Sequence, residues 1–203
     1  MDKYNNEHDG QLDFYNMFLP RINPNLNIGN ILADNNDGVL NGNLLEFKLH
    51  ITDLNAVLFQ CIKYLSALRI KGKPVPANIL IVDLNAATIW LYRSFPYLSA
   101  IEKPYTGGAS KDNNNFIGGS AEKVLHYDDL IDAENVVALL KQQEYTKIHI
   151  DENCIVGWAS SFYRDVPSAR KEDFLGDDTG KHKTIGEIRK PIHFVNYIYP
   201  YTG

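Results

Sequence analysis

Apolar and polar positions along this chain recur with two periods, and each period predicts its own kind of element. Between Glu7 and Leu19 the apolar residues Leu12, Tyr15, Phe18 and Leu19 fall at helical spacing, and Pro20 followed by Asn23-Pro24-Asn25 predicts the end of that helix. Residues 23–36 are rich in Asn and Gly and read as a loop. At Asp37 the period shortens. Gly38-Val39-Leu40 and Leu44-Leu45-Glu46-Phe47-Lys48-Leu49 flank Asn41-Gly42-Asn43. Asn-Gly between apolar runs predicts a hairpin, because both residues tolerate positive φ.

After Thr52-Asp53, either of which can cap, Leu54, Val57, Leu58, Cys61, Ile62, Leu65 and Leu68 follow the i, i+3, i+4, i+7 rule of an amphipathic helix ending near Gly72. Asn78-Ile-Leu-Ile-Val-Asp83 is continuously apolar, as in a strand covered on both faces, and Ala87 to Tyr92 predicts a further strand. Residues 94–120 look irregular, a long loop or a domain joint. Tyr127 to Gln143 is expected to be helical and Tyr145 to Ile150 a short strand. This order predicts an α/β protein, a mixed central sheet flanked by helices. Seven Lys/Arg and six Asp/Glu crowd residues 164–190 around Gly176, Gly180 and Gly186, a segment expected to be exposed and ordered, if at all, by a partner.

Composition narrows the function classes. With 203 residues, 44% of them apolar and 22% charged, the chain can build a real core, which excludes disordered and fibrous classes. A net charge of −5 excludes nucleic-acid binding through bulk positive charge and leaves only a local basic patch. No apolar run approaches the ~20 residues of a membrane-spanning helix and the amino end has no signal-peptide core, so a soluble cytoplasmic protein is expected. Cys61 and Cys154 each stand alone among apolar neighbours, which suggests buried thiols and neither a disulfide framework nor a CxxC site. No HExxH, GxSxG or GxxxxGK[ST] occurs.

The chemistry concentrates around the predicted hairpin. In a strand alternate side chains share a face, so Glu46 and Lys48 project together while Phe47 points away. Asp37, across the tight hairpin, can lie close to Glu46. Two adjacent carboxylates repel unless a cation sits between them, and hard oxygen ligands of this kind fit Mg²⁺, with Mn²⁺ as substitute. On the next helix Gln60 and Tyr64 are an i, i+4 pair on one face. Lys63, Arg69, Lys71 and Lys73 place four positive charges between Asp53 and Asp83 with no acidic residue among them, the local basic surface that DNA would need. A metal site beside a basic strip fits phosphodiester cleavage.

Asp37, Glu46-x-Lys48 and Gln60-x-x-x-Tyr64 resemble the PD-(D/E)xK nuclease superfamily in its QxxxY branch. More narrowly, residues from Asp37 through Gln60-Cys-Ile-Lys-Tyr-Leu to Asp83 are similar to the amino-terminal nuclease region of bacterial restriction-modification polypeptides, in which a nuclease is joined to an adenine-N6 methyltransferase. The likeness covers roughly residues 30–93, and Asn36 stands where the superfamily name has Pro. It implies a restriction-endonuclease-like core and a Mg²⁺-dependent deoxyribonuclease of bacterial cytoplasm. Asp37 and Glu46 would bind the metal, with the Phe47 carbonyl as a further ligand. Lys48 would position or deprotonate the attacking water and stabilise phosphate charge, and Gln60 and Tyr64 would support that geometry.

The implied organisation is a nuclease core over 1–93, the remainder of the α/β domain over 94–163 and an irregular segment or linker over 164–203. No Asn-Pro-Pro-Tyr or FxGxG-type loop is present, so the implied partners are DNA, a methyltransferase or specificity domain in the same polypeptide or complex, and a second copy on DNA. On that reading the chain is a fragment or a split subunit. The rivals are a repair, recombination or type I restriction nuclease fragment, and a noncatalytic nucleic-acid-binding module of the same fold.

Each residue also has an ordinary reading. ExK alone is usually the solvated face of a strand, and Gln60 with Tyr64 an ordinary polar helix edge; the set draws its weight from agreeing. Asp34 competes with Asp37 for the metal role but suits a loop turn, and Glu7 suits a solvent-facing helix position. The six histidines lack ligand spacing, with His50, two residues past Lys48, the nearest to the site. Tyr105-Thr-Gly-Gly and Ile117-Gly-Gly suit turns better than phosphate loops, and Trp90 and Trp158 suit the core.

Overall fold

The computed structural model describes residues 2–25, 38–105 and 116–149. Helix α1 spans Glu7–Ile22 and starts where the Asn6 side chain accepts from the Asp9 N–H at 2.9 Å. The expected stop at Pro20 is corrected. Pro20 sits inside the last turn, and the Asn23 N–H donates to the Leu19 carbonyl beyond it. The bond that proline removes would have gone to Asn16, and both residues are exposed, so the freed carbonyl is not shut inside the core.

Strands β1 (Val39–Leu40) and β2 (Asn43–Lys48) form the expected antiparallel hairpin, with Asn41 and Gly42 at φ +48° and +72°. Gly42 is obligatory for a second reason: a Cβ there would lie 2.1 Å from the Glu144 carbonyl oxygen. Helix α2 (Leu54–Ile70) follows, capped by Asp53, whose side chain accepts from the Ala56 N–H. Strand β3 (Asn78–Asp83) pairs parallel to β2, so the helix between them is the crossover that parallel neighbours require. Strand β4 (Thr88–Arg93) returns antiparallel to β3. A 3₁₀ turn at Phe95–Tyr97 and a short helix α3 (Leu98–Ile101) lie within the span expected to be irregular. Strand β5 (Lys123–His126) pairs antiparallel to β4, and helix α4 (Leu130–Lys141) comes last.

The result is an α/β fold with a mixed five-stranded sheet in the order β1-β2-β3-β4-β5, flanked by helices. Phe14, Phe18, Leu45, Phe47, Leu80, Val82 and Leu91 join α4 residues on one face. Leu44, Ile79, Ile81 and Tyr92 meet Leu58, Ile62 and Leu65 of α2 on the other. All six residues of β3 are buried, which is why its sequence shows no alternation.

Two further expectations are corrected. The helix expected from Tyr127 begins at Leu130, because the Asp129 side chain caps it by accepting from the Ile131 and Asp132 N–H groups. The residues before it form β5, an edge strand in which only Leu125 is buried, too few for a periodic signal. The strand expected over Tyr145–Ile150 is a single bridge between Pro76 and Tyr145, held by bonds from Ala77 N–H to the Glu144 carbonyl and from Thr146 N–H to the Val75 carbonyl. Pairing cannot run on past Ala77, since β3 already has a neighbour on each side. No helix among the described residues is long and apolar enough to cross a membrane. Ile150 and the 164–203 segment lie outside the described residues, as do Asp34, Asp37, Cys154, Trp158, His182 and His193.

Candidate active site

Along the α2-facing side of β2, Leu44 is fully buried and the next two positions, Glu46 and Lys48, are partly buried. Phe47 points the other way, its ring 5.2 Å from Phe14 and 5.5 Å from Tyr15, so packing on one face fixes the direction of both polar side chains on the other. Lys48 Nζ lies 2.7 Å from Glu46 Oε1, with the two side chains 27% and 12% exposed. One turn apart on α2, Gln60 and Tyr64 close the group. Gln60 Nε2 donates to Glu46 Oε1 at 2.9 Å and to the Tyr64 hydroxyl oxygen at 2.7 Å.

Four of the expected site residues therefore form one connected polar cluster in a half-buried setting. Burial pulls the Lys48 ammonium down, but its hydrogen bond to Glu46 and the charges of Glu46 and Glu7 outweigh that and leave it above the ordinary lysine value. Burial pushes the Tyr64 phenol up, against the hydrogen bond from Gln60 and with the Glu46 charge adding. Both groups hold their protons at neutral pH. Cys61, buried beneath the cluster, is pushed well up by burial and by Glu46, an inert thiol as expected.

Glu7, expected to face solvent, is partly buried. It is the first residue of α1, half-buried, and its charge acts on Lys48. Asp83 is a second carboxylate that sequence reasoning missed. It ends β3 in register with Lys48 and accepts from the Ile51 and Ala86 N–H groups, both at 2.9 Å. Its signal in the sequence was its place at the end of the apolar run. Asp83 fixes the path of the chain between β2 and the cap of α2.

Asp37 lies outside the described residues. Gly38, which follows it, sits at φ +52° and its carbonyl accepts from the Leu45 N–H, beside Glu46. A Cβ on Gly38 would lie 2.3 Å from the Leu45 carbonyl oxygen, so only glycine brings the chain this close. Lys48 turns its carbonyl to β3, bonding the Leu84 N–H. By strand alternation the Phe47 carbonyl faces the β1 side, where the chain enters at Gly38. Among the described residues no three His, Cys, Asp or Glu converge as a metal site. The donors that are described, a carboxylate and a backbone carbonyl on adjacent residues, are hard oxygens of the type Mg²⁺ takes.

The expected basic strip is not one surface. Lys63 is buried, its Nζ 4.8 Å from the Phe59 ring centroid and 6.0 Å from that of Tyr105. Arg69 is also buried and donates to the Glu102 and His149 carbonyls. Lys71 and Lys73 are exposed. Helical spacing explains the correction, since α2 turns Lys63 and Arg69 away from solvent while the two lysines follow its end.

His50 lies past the end of β2, where strand alternation no longer aims it, and its ring meets Asp2 and Asn85 instead of the cluster. Gly118 packs on the start of α2, its N–H donating to Asn55 Oδ1 and its carbonyl accepting from the Tyr97 hydroxyl, so the Ile117-Gly-Gly turn is structural. Trp90 is half-buried against the α2-side core. Compared with known proteins, the chain matches no family model, no curated protein and no solved structure, so the functional reading rests on its own residues and geometry.

Proposed function

We propose that this chain is a metal-dependent DNA endonuclease of the PD-(D/E)xK type, the nuclease domain of a bacterial restriction-modification enzyme. The observation that carries the reading is the convergence of Glu46, Lys48, Gln60 and Tyr64, residues from two elements, into one partly buried hydrogen-bonded group. A noncatalytic binder gains nothing from a carboxylate at a phosphate-facing surface, whereas a hydrolase needs one to hold a cation.

In this reading Glu46, the Phe47 carbonyl and Asp37 would hold Mg²⁺ or Mn²⁺, which would supply a Lewis acid that lowers the pKa of a water. Lys48, protonated at neutral pH, would stabilise the charge that builds on the phosphate as the bond from water oxygen to phosphorus forms, with that water's proton passing to solvent, and the ester P–O bond breaks, with the leaving oxygen taking its proton from solvent. Gln60 fixes the Glu46 carboxylate and spends both amide hydrogens doing so, one on Glu46 and one on Tyr64. Lys71 and Lys73 add a modest attraction for the backbone. DNA, a specificity or methyltransferase domain and a second copy for double-strand cutting complete the reading.

The test is nicking of supercoiled plasmid by the chain with Mg²⁺ or Mn²⁺, beside Glu46→Ala and Lys48→Ala. Nicking by the wild type that is lost in both variants is the expected result. Nicking that survives both substitutions, or DNA binding with no Mn²⁺ bound at all, would defeat the reading, the second in favour of the noncatalytic module.

A further inference from the structure

We infer that Lys48 and the metal compete for the Glu46 carboxylate, so that the ammonium is held back until a cation displaces it toward the substrate. The inference rests on the metal-dependent reading above. Its basis is the crowding of a single atom. Glu46 Oε1 accepts from Lys48 Nζ at 2.7 Å and from Gln60 Nε2 at 2.9 Å. A carboxylate oxygen offers two in-plane lone-pair directions, and at Oε1 both are used.

A divalent cation binding at ~2.1 Å needs a lone pair of its own. It either takes the place of one of the two donors or binds across the carboxylate from the ammonium. Gln60 is neutral and can stay. Lys48 carries a charge of the same sign as the metal, so its presence at Glu46 opposes the metal in both arrangements. Displacement is mechanically open to it, because a quarter of its side chain is already exposed and its four-carbon stem is flexible. By linkage the coupling is reciprocal: whatever the lysine costs the metal, the metal costs the ion pair. The same step that loads the site then delivers Lys48 to the phosphate.

The test is Mn²⁺ binding by the full chain near neutral pH, read from the electron paramagnetic resonance signal of the free ion, for the wild type, Lys48→Met and Lys48→Arg. Removing the charge is expected to tighten Mn²⁺ binding ~tenfold, a coupling of ordinary size for an allosteric pair. Lys48→Arg keeps the charge and is expected to stay within about twofold of the wild type. Circular dichroism checks that each variant folds, and Lys48→Gln replaces Lys48→Met should the latter fail. Equal or weaker binding by the uncharged variant, with measurable binding by the wild type, would overturn the competition while leaving the metal site standing. Absence of Mn²⁺ binding in every variant would overturn the metal-dependent reading and the competition with it.

Discussion

Replacing Asp83 by Asn tests how the fold holds the site in place. Asp83 is 6% exposed, and its two oxygens accept from Ile51 N–H and Ala86 N–H at 2.9 Å each. The amide keeps the shape of the carboxylate but puts an NH₂ group where one oxygen was, so one backbone N–H must face a donor. Ala86 is exposed and Ile51 half-buried, so the amide oxygen goes to Ile51 and water rescues Ala86. A hydrogen bond to a charged group contributes ~1.5–3 kcal/mol and a neutral one ~0.5–1.5, so the bond to Ile51 loses about 1 kcal/mol. The hydrated mismatch at Ala86 adds a further ~1 kcal/mol, short of the full penalty for an unpaired buried donor. A total loss of about 2 kcal/mol, at a urea slope of ~2 kcal/mol/M, lowers the unfolding midpoint by roughly 1 M. The assay is equilibrium urea unfolding followed by far-ultraviolet circular dichroism. A loss below about 0.5 kcal/mol would refute the claim that this carboxylate ties the β2–α2 connection to the end of β3.

Two other outcomes follow from the same structure. Burial pushes the Tyr15 phenol up to about 12, so the folded state keeps a proton that the unfolded state loses near 10. Its contribution is complete below pH ~10 and disappears as pH rises toward ~12, costing roughly 1–2 kcal/mol by pH ~11; the urea stability of Tyr15→Phe should fall less between pH ~8 and ~11 than that of the wild type. The Glu46–Lys48 pair acts in the same direction, present below the ordinary lysine value of 10.5 and lost as pH passes the raised one. Gly42→Ala and Gly119→Ala both force a side chain onto positive φ, +72° and +69°, but only the first meets backbone, since nothing lies within 4 Å of a Cβ at Gly119. Thermal melts should show ~1 kcal/mol lost at Gly119 and at least ~2 kcal/mol at Gly42, and equal losses would mean the hairpin tip does not press on Glu144.

Much of the fold was legible because local rules operate where one face is buried. The Asn41-Gly42 turn could be read from backbone conformation alone, and α2 from an apolar stripe with its Asp53 cap. The same alternation that defines β2 put Glu46 and Lys48 on one side and Phe47 on the other, so half of the candidate site was visible before any packing was known. The misreadings have one origin. At Pro20, Tyr127 and residues 145–149 local preference points one way, and exposure at the end of α1, the Asp129 cap and the double pairing of β3 decide the other.

A second polar network shows what the sequence withheld. Asn43, Asn78 and Arg93 stand in register across three strands, Asn78 donating to Asn43 and accepting from Arg93 at 2.5 Å, while Asn43 also donates to the Leu139 carbonyl of α4. Nothing in their spacing, 35 and 15 residues, marks them as partners. They lock the far end of the sheet to α4, as Asp83 locks the near end to α2.

By itself the sequence determined the hairpin, the crossover helix, the buried central strand and the facing of the Glu46-x-Lys48 pair, because these follow from periodicity and turn chemistry within a few residues. Tertiary structure alone decided that Gln60 reaches Glu46, that the Glu7 charge acts on Lys48, that Asp83 ties the chain after β2 to the end of β3, and that Lys63 and Arg69 are spent inside the protein. Contacts between residues distant in the chain depend on which face each element turns to its neighbour, and only the assembled sheet fixes that.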